Sequence, residues 1–314
     1  MKKIFIAGHK GMVGSAIYKN ISKKNKVIVA DKKDLNLLNF KKTFNFFKKH
    51  KFDHVYICAA KVGGILANDT YRADFIYQNL QIATNIIKSS HDSCVEKLIN
   101  LGSSCIYPKN PEIPIKEESL LTGALEDTNE PYAIAKICAL KMCENFYQQY
   151  GSNFYSLMPC NLYGPGDNFD LETSHVLPAF INKVHTAKEN GSKKVEIWGS
   201  GKPLREFLFV EDLADAIVFC LENLCADDVY KKGISQLNCG SNDEVSILQL
   251  INLIKEIVGF EGEITFDSSK PDGTYRKKMD NSKIESLGFT PKNTLKQGIK
   301  KTYDWYVKNI DRLR

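Results

Sequence analysis

The sequence predicts an α/β protein with a doubly wound parallel sheet and a second, smaller α/β domain. Short apolar or β-branched runs alternate with longer amphipathic stretches through the first half of the chain. A glycine-rich turn joins the first of these runs to the first amphipathic stretch. After Asn161-Leu-Tyr-Gly-Pro-Gly166 the rhythm changes to a polar loop followed by shorter elements, which marks a second unit.

Taken in order, Lys3–Ala7, Lys26–Ala30, His54–Ala59, Lys97–Leu101 and Phe154–Met158 read as strands, because they are short, apolar and bounded by polar or glycine turns. Between them, Met12–Ser22, Phe40–His50, Thr70–Ser90 and Pro131–Tyr150 have helical length and spacing. The second half predicts a helix near His175–Asn190, strands around Val195–Trp198 and Phe207–Val210, and helices at about Glu211–Leu224, Ser246–Val258 and Thr294–Lys308. In such a fold the ligand lies beyond the carboxyl ends of the strands.

At 314 residues, with 43% hydrophobic and 25% charged residues, the chain has ordinary globular composition and room for one large or two moderate domains. The apolar run after Met1 is soon broken by Gly8 and His9, too short for a signal-peptide core, and no stretch reaches the ~18 apolar residues of a membrane span. A soluble, cytoplasmic protein with no membrane partner is therefore expected. The nine cysteines form no C-x-x-C pair and no zinc quartet with histidines, so reduced thiols and no metal are expected. The formal charge of +6 comes from dispersed lysines such as Lys48, Lys49, Lys193 and Lys194, which suits a solvated surface and anionic ligands. No arginine-rich or aromatic-interleaved block suggests nucleic acid.

The first expected strand ends in Gly8-His9-Lys10-Gly11-Met12-Val13-Gly14. Glycines at this spacing let backbone turn tightly from strand to helix and approach a pyrophosphate, which the helix amino terminus binds through free N–H groups. The second expected strand runs into Asp31-Lys32-Lys33. An acidic side chain there suits the ribose 2′-hydroxyl of NAD, whereas Lys10, Lys32 and Lys33 suit the 2′-phosphate of NADP; the balance of charge predicts NADP(H).

Tyr132 and Lys136 stand one helical turn apart and share a face, so both can reach one cleft. The lysine is expected to favour the ionised phenol and so bring tyrosine into proton-transfer range. Ser103 follows the fourth expected strand, where it can donate a hydrogen bond to a substrate carbonyl. The first half of the Pro131–Tyr150 helix is apolar almost all round, with Ala133, Ile134, Ala135, Ile137, Cys138 and Ala139, and is expected to be buried on both sides.

Glycine turn, Ser103, Tyr132 and Lys136 in this order resemble the extended short-chain dehydrogenase/reductase family. Ala59-Ala-Lys-Val-Gly-Gly-Ile65, Gly102-Ser-Ser-Cys-Ile-Tyr-Pro-Lys109, Ser174-His-Val, Lys270-Pro-Asp-Gly273 and Trp198-Gly-Ser-Gly-x-Pro-x-Arg-Glu-Phe207 narrow the resemblance to the GDP-L-fucose synthase group, over essentially the full chain. It implies a Rossmann NADP(H)-binding domain over 1–165 and a mainly GDP-sugar-binding domain over 166–314, with part of 207–240 returning to the first. The implied reaction is NADPH-dependent 4-keto reduction with 3,5-epimerisation of a GDP-linked 4-keto-6-deoxy-mannose.

Further implications attach to single residues. Ser103, Tyr132 and Lys136 would serve reduction, with Cys105 and His175 as the epimerisation pair. Beyond the glycine turn and Lys32, the cofactor would meet Ala59, Ala60, Leu101, Gly102, Pro159, Asn161, Leu162 and His175. Lys183, Trp198, Arg205 and Asp272 would contact the GDP-sugar, and the Thr70–Ser90 and Pro131–Tyr150 helices would form a homodimer. Cys160 and Gly166 depart from the group, where a threonine and a bulkier polar residue are common. The departures keep open a GDP-4-keto-6-deoxy-heptose reductase with little or no epimerase activity.

Overall fold

The computed structural model describes residues 1–171, 173–270 and 272–313. Strands β1 (Lys3–Ala7), β2 (Lys26–Ile28), β3 (His54–Ile57), β4 (Lys97–Leu101) and β5 (Phe154–Pro159) lie parallel in the order β2-β1-β3-β4-β5. Helices α1 (Met12–Ile21), α2 (Phe40–His50), α3 (Ile65–Thr70), α4 (Arg72–Asp92) and α5 (Glu130–Tyr150) fill the connections. The order reverses between β1 and β3, so the segments leaving these strands diverge and open a crevice at their carboxyl ends. This is the doubly wound Rossmann sheet that the sequence predicts.

Strands apolar on both faces need cover on both. Ile4 and Ile6 pack with Ile17 and Ile21 of α1, while Phe5 and Val55 pack with Phe47 of α2 and Ile86 and Ile87 of α4. Local signals set the helix ends: the Asn39 side chain accepts from Lys42 N at the start of α2, and Gly151 at φ +67° stops α5.

Differences from the sequence expectation have physical causes. The helix expected over Thr70–Ser90 is broken at Tyr71, whose φ of −110° and ψ of 41° leave helical geometry, and the second piece runs on to Asp92. Strands β2 and β3 stop at Ile28 and Ile57, short of Ala30 and Ala59, because their last residues turn away into the crevice.

After β5 the chain changes sheets at Cys160. Strand β6 (Asn161–Tyr163) follows, then α6 (Val176–Glu189), β7 (Lys194–Trp198) and β8 (Leu204–Phe209), which pairs with β6. Next come α7 (Val210–Asn223), which packs against α1, then α8 (Ala226–Tyr230) and β9 (Leu237–Cys239), which pairs with β5 as a sixth strand of the large sheet. The chain then leaves again through β10 (Glu244–Ser246), α9 (Ile247–Val258), β11 (Glu263–Asp267), β12 (Arg276–Lys277), α10 (Ser282–Ser286) and α11 (Leu295–Asn309). A second core holds Phe180, Ile181, Ile251, Ile254 and Ile299. No helix among the described residues is long and apolar enough to cross a membrane.

Glu206 ties this second region together. It is fully buried on β8, and its carboxylate accepts from Asn242 N at 2.9 Å, Met279 N at 3.0 Å and Asn281 Nδ2 at 3.2 Å. These bonds fasten the residues after β9 and after β12 to the middle of β8. Glu206→Ala would leave the buried Met279 amide and the part-buried Asn242 amide without acceptors, and a loss of about 3 kcal/mol in urea-unfolding stability is expected. A loss below about 1 kcal/mol would mean that other groups take over those donors.

Candidate active site

At the end of β1 the backbone passes so close to its neighbours that side chains are excluded. A Cβ on Gly8, whose φ is +87°, would lie 2.7 Å from Ala59 N, and one on Gly14 would lie 2.2 Å from the Gly8 carbonyl oxygen. Gly11 N donates to that same oxygen at 3.1 Å, and Gly11 caps α1 without any side-chain hydrogen bond. The first turn of α1 carries no acidic residue, so its amides and dipole face the crevice with nothing to repel an anion. His9, Lys10, Met12 and Val13 complete this turn as expected.

The ribose end resolves the mixed signal of Asp31. Its carboxylate accepts from Lys10 Nζ at 2.7 Å and lies 3.4 Å from His9 Nε2, and the Lys10 hydrogen bond holds it below the usual carboxylate range. Lys10 is therefore not one of three free cations; it neutralises Asp31, and the exposed Lys32 and Lys33 remain. A neutralised aspartate beside two free lysines fits a 2′-phosphate. Across the crevice, Ala59 and Ala60 lead into Lys61, whose backbone N and O are both clamped by Asn79 of α4, at 2.8 and 3.0 Å. Asn79 is a positioning residue that the sequence reading missed, since only the tertiary fold brings α4 over this loop.

Gly102 follows Leu101 at the end of β4, where a Cβ would lie 2.0 Å from the Met158 sulfur. Ser103 caps a short turn over Ser104–Ile106 through Cys105 N at 3.5 Å, bringing serine and cysteine to the same side. Cys105 is only 8% exposed. Burial raises its thiol, while Lys277, the Ser103 hydroxyl and Lys136 pull it the other way. Lys277 is a second residue that the sequence reading missed. It pairs with Arg205 across β12 and β8, and a two-residue strand has no readable period.

Lys136 is buried on α5, donates to the Leu101 carbonyl at 2.7 Å and lies 5.6 Å from the centre of the Tyr132 ring. Burial lowers it to about 8. The expected downward shift of Tyr132 does not occur: burial, with Cys105 as a smaller cause, pushes the phenol above its ordinary value. Desolvation of the phenolate outweighs an ammonium that is itself shared with a carbonyl. The result is a tyrosine that keeps its proton.

His175 caps α6 at the rim, beside Thr173 and Ser174, whose carbonyls lie within 3.2 and 3.7 Å of a Cβ built on Gly64. Its ring is solvent-facing, yet the surrounding protein desolvates it enough to hold it below the usual histidine value. Pro159, Asn161 and Leu162 line the sheet change, where Asn161 Nδ2 donates to the Glu206 carbonyl at 2.8 Å.

In the second region, Trp198 is 66% exposed, and Lys183 Nζ lies 5.7 Å from its ring centre. Arg205 is desolvated and anchored to the Leu204 carbonyl at 2.8 Å. Asp272, expected to meet substrate, is already engaged: it accepts from Ser200 N at 2.6 Å and Ser200 Oγ at 2.7 Å, clipping the turn after Trp198. Pro271, within the quoted Lys270–Gly273 stretch, lies outside the described residues. The structure thus sets a dinucleotide turn beside a Ser-Tyr-Lys group with a buried cysteine, and Lys277, paired with Arg205, brings charge from the second region to that cysteine.

A family model described as "NAD dependent epimerase/dehydratase family" matches residues 4–238. GDP-L-fucose synthase 1 of Arabidopsis thaliana is 51% identical, covering 98% of this chain and 94% of its own. GDP-L-fucose synthase of Escherichia coli (strain K12) is 46% identical, covering 100% and 99%. A crystal structure of a GDP-D-glycero-L-gluco-heptose synthase from Campylobacter jejuni in the presence of NADPH superposes with a TM-score of 0.93 at 38% identity, covering 98% of each chain. On this extent of match, the chain belongs to the NAD dependent epimerase/dehydratase family and is a near full-length relative of the GDP-L-fucose synthases.

Proposed function

We propose that this chain is an NADPH-dependent enzyme that converts a GDP-linked 4-keto-6-deoxy-mannose to GDP-L-fucose by 3,5-epimerisation and 4-keto reduction. The observation that carries the reading is the convergence of Ser103, Cys105, Tyr132 and Lys136 at the carboxyl end of β4, beside the dinucleotide turn. GDP-L-fucose synthase relatives at 46–51% identity support the same substrate class.

A ketone at the fourth sugar carbon acidifies the hydrogens at the third and fifth. Each inversion removes one proton to a base and returns one from the opposite face, with no net change in oxidation state. Cys105 and His175 take these roles. The cysteine thiol can hold a proton and, through its neighbouring cations, release it; the desolvated imidazole is neutral near pH 7 and can accept one. Ser103 donates to the ketone oxygen and stabilises the enolate. Bound NADPH supplies the hydride that reduces the fourth carbon. Tyr132 delivers the accompanying proton to the ketone oxygen, a role suited to a phenol that burial keeps protonated. Lys136 holds its charge beside that phenol and would hold the nicotinamide ribose of bound NADPH.

The reading includes a cytoplasmic homodimer. α4 and α5 pack together and still leave Tyr77 and Cys138 exposed on their outer surfaces, where a second copy would cover them. The nine cysteines are all free thiols, in keeping with a reducing compartment. A second reading, reduction of a GDP-4-keto-6-deoxy-heptose, is favoured by the TM-score of 0.93 to the heptose enzyme.

Incubation with NADPH and GDP-4-keto-6-deoxy-mannose in heavy water decides between them. GDP-L-fucose deuterated at the third and fifth carbons is expected; reduction without label, or turnover of the heptose substrate alone, overturns the first reading. Tyr132→Phe is expected to cut reduction at least about a hundredfold while deuterium exchange persists. Cys105→Ser is expected to slow exchange more than reduction, and equal exchange in variant and parent would remove the thiol from the mechanism.

The pH profile reports Lys136. Its ammonium is present below a pKa of about 8 and lost as pH rises through it. kcat/KM for NADPH, which follows the free enzyme, is expected to fall above that point, and Lys136→Arg is expected to move the fall to higher pH. A profile flat to pH 10 would exclude a depressed Lys136 as the controlling charge.

A further inference from the structure

The Trp198 patch contains a lysine that none of the assigned roles uses. Lys270 Nζ lies 5.7 Å from the centre of the Trp198 ring, the same distance as Lys183 Nζ, although the two lysines come from the loop between β11 and β12 and from α6. Among the described residues neither ammonium makes a hydrogen bond or a close ion pair; the Asp267 carboxylate, which its own turn holds through Ser269, feels the Lys270 charge only at longer range.

The placement of Lys270 is built into the backbone. β7 and β11 are paired so that Trp198 stands opposite Asp267. The Asp267 carbonyl accepts from Gly199 N at 2.9 Å and from Lys270 N at 3.2 Å, joining the turn after the tryptophan to the turn that carries the lysine. The Asp267 carboxylate accepts from Ser269 N at 3.0 Å and Oγ at 2.6 Å, which shapes that second turn. Two residues past Lys270, Asp272 grips Ser200 through both carboxylate oxygens. The loop is thus fastened on both sides of Lys270 to the segment presenting Trp198.

Two ammonium groups gathered at one exposed indole, with no carboxylate in ion-pair contact among the described residues, repel each other and gain little from the ring. A nucleoside diphosphate satisfies every part of the arrangement. Its base stacks on the indole face, and its phosphates take the cations that the base displaces. Arg205, desolvated and near Asp272, faces the same region.

We propose that Lys270 is a phosphate-binding residue of the nucleoside-diphosphate subsite, exchanging the Trp198 ring for the diphosphate as the base stacks. The proposal rests on the GDP-sugar reading above. It assigns the loop between β11 and β12 a direct part in substrate affinity, with Lys183 gripping from α6 on the other side.

Titration calorimetry with GDP alone tests this without turnover, with NADPH as a separate titration of the same samples. Lys270→Gln is expected to weaken GDP binding about tenfold, the loss of one charge-assisted contact. Lys270→Arg is expected to stay within about threefold of the parent, since it keeps both charge and ring contact. NADPH affinity is expected to be unchanged in both. A Lys270→Gln protein that binds GDP within twofold of the parent overturns the proposal and leaves the GDP-sugar reading standing. If Lys270→Arg loses as much as Lys270→Gln, the lysine serves the loop's shape and the proposal fails. A parent protein that binds NADPH but not GDP overturns both readings.

Discussion

Backbone crowding at the junction of β1, α1 and β3 sets the geometry on which the rest of the molecule depends. With Gly8 against Ala59 and Gly14 against the Gly8 carbonyl, strand, turn and helix meet without side chains between them. The helix amino terminus can therefore stand directly over the crevice opened by the reversal in strand order. β4 lies next to β3 in the sheet, so Ser103 and Cys105 emerge from its end alongside that crevice, and α5 brings Tyr132 and Lys136 to the same place. The distances among these groups follow from sheet spacing, not from loop flexibility.

Electrostatics separates the two walls of the cleft. On the cofactor wall Asp31 is neutralised by Lys10 and Lys136 is buried against a carbonyl, so the exposed Lys32 and Lys33 at its far end carry the remaining charge. In the second region, Lys183, Arg205 and Lys277 make no close ion pair among the described residues, and Asp272, the acid that acts on Arg205, is occupied by Ser200. On the function proposed above, a diphosphate would be drawn to the second wall, which would leave the sugar to reach across to the proton-transfer groups.

Much of this could be read from the sequence where the signal is local. β1, α2 and β4 begin and end where hydrophobic runs and capping residues say they should, and the order of glycine turn, Ser103, Tyr132 and Lys136 survives folding intact. Leu237–Cys239 and Arg276–Lys277, which escaped notice, are two or three residues long and pair only with distant partners, and the five-residue Glu263–Asp267 strand was missed as well. Asn79, Glu206 and Lys277 act through neighbours about 20 to 170 residues away or through burial, neither of which leaves a periodic trace. Tyr132 shows the same limit in chemical form: the sequence displays the lysine beside it but not the protein packed around it, and the latter governs its proton.

Glu206 also imposes an order on how the molecule can be assembled during synthesis. When β8 first emerges from a ribosome, the acceptor oxygens of Glu206 have none of their final donors, because these come from Asn242, Met279 and Asn281, the latter two 73 and 75 residues later. A carboxylate cannot be sealed from water in that condition without a large penalty. The large sheet can gather its first five strands as they appear, whereas the half of the cleft that holds Arg205 must stay hydrated and open until nearly the whole chain has been made.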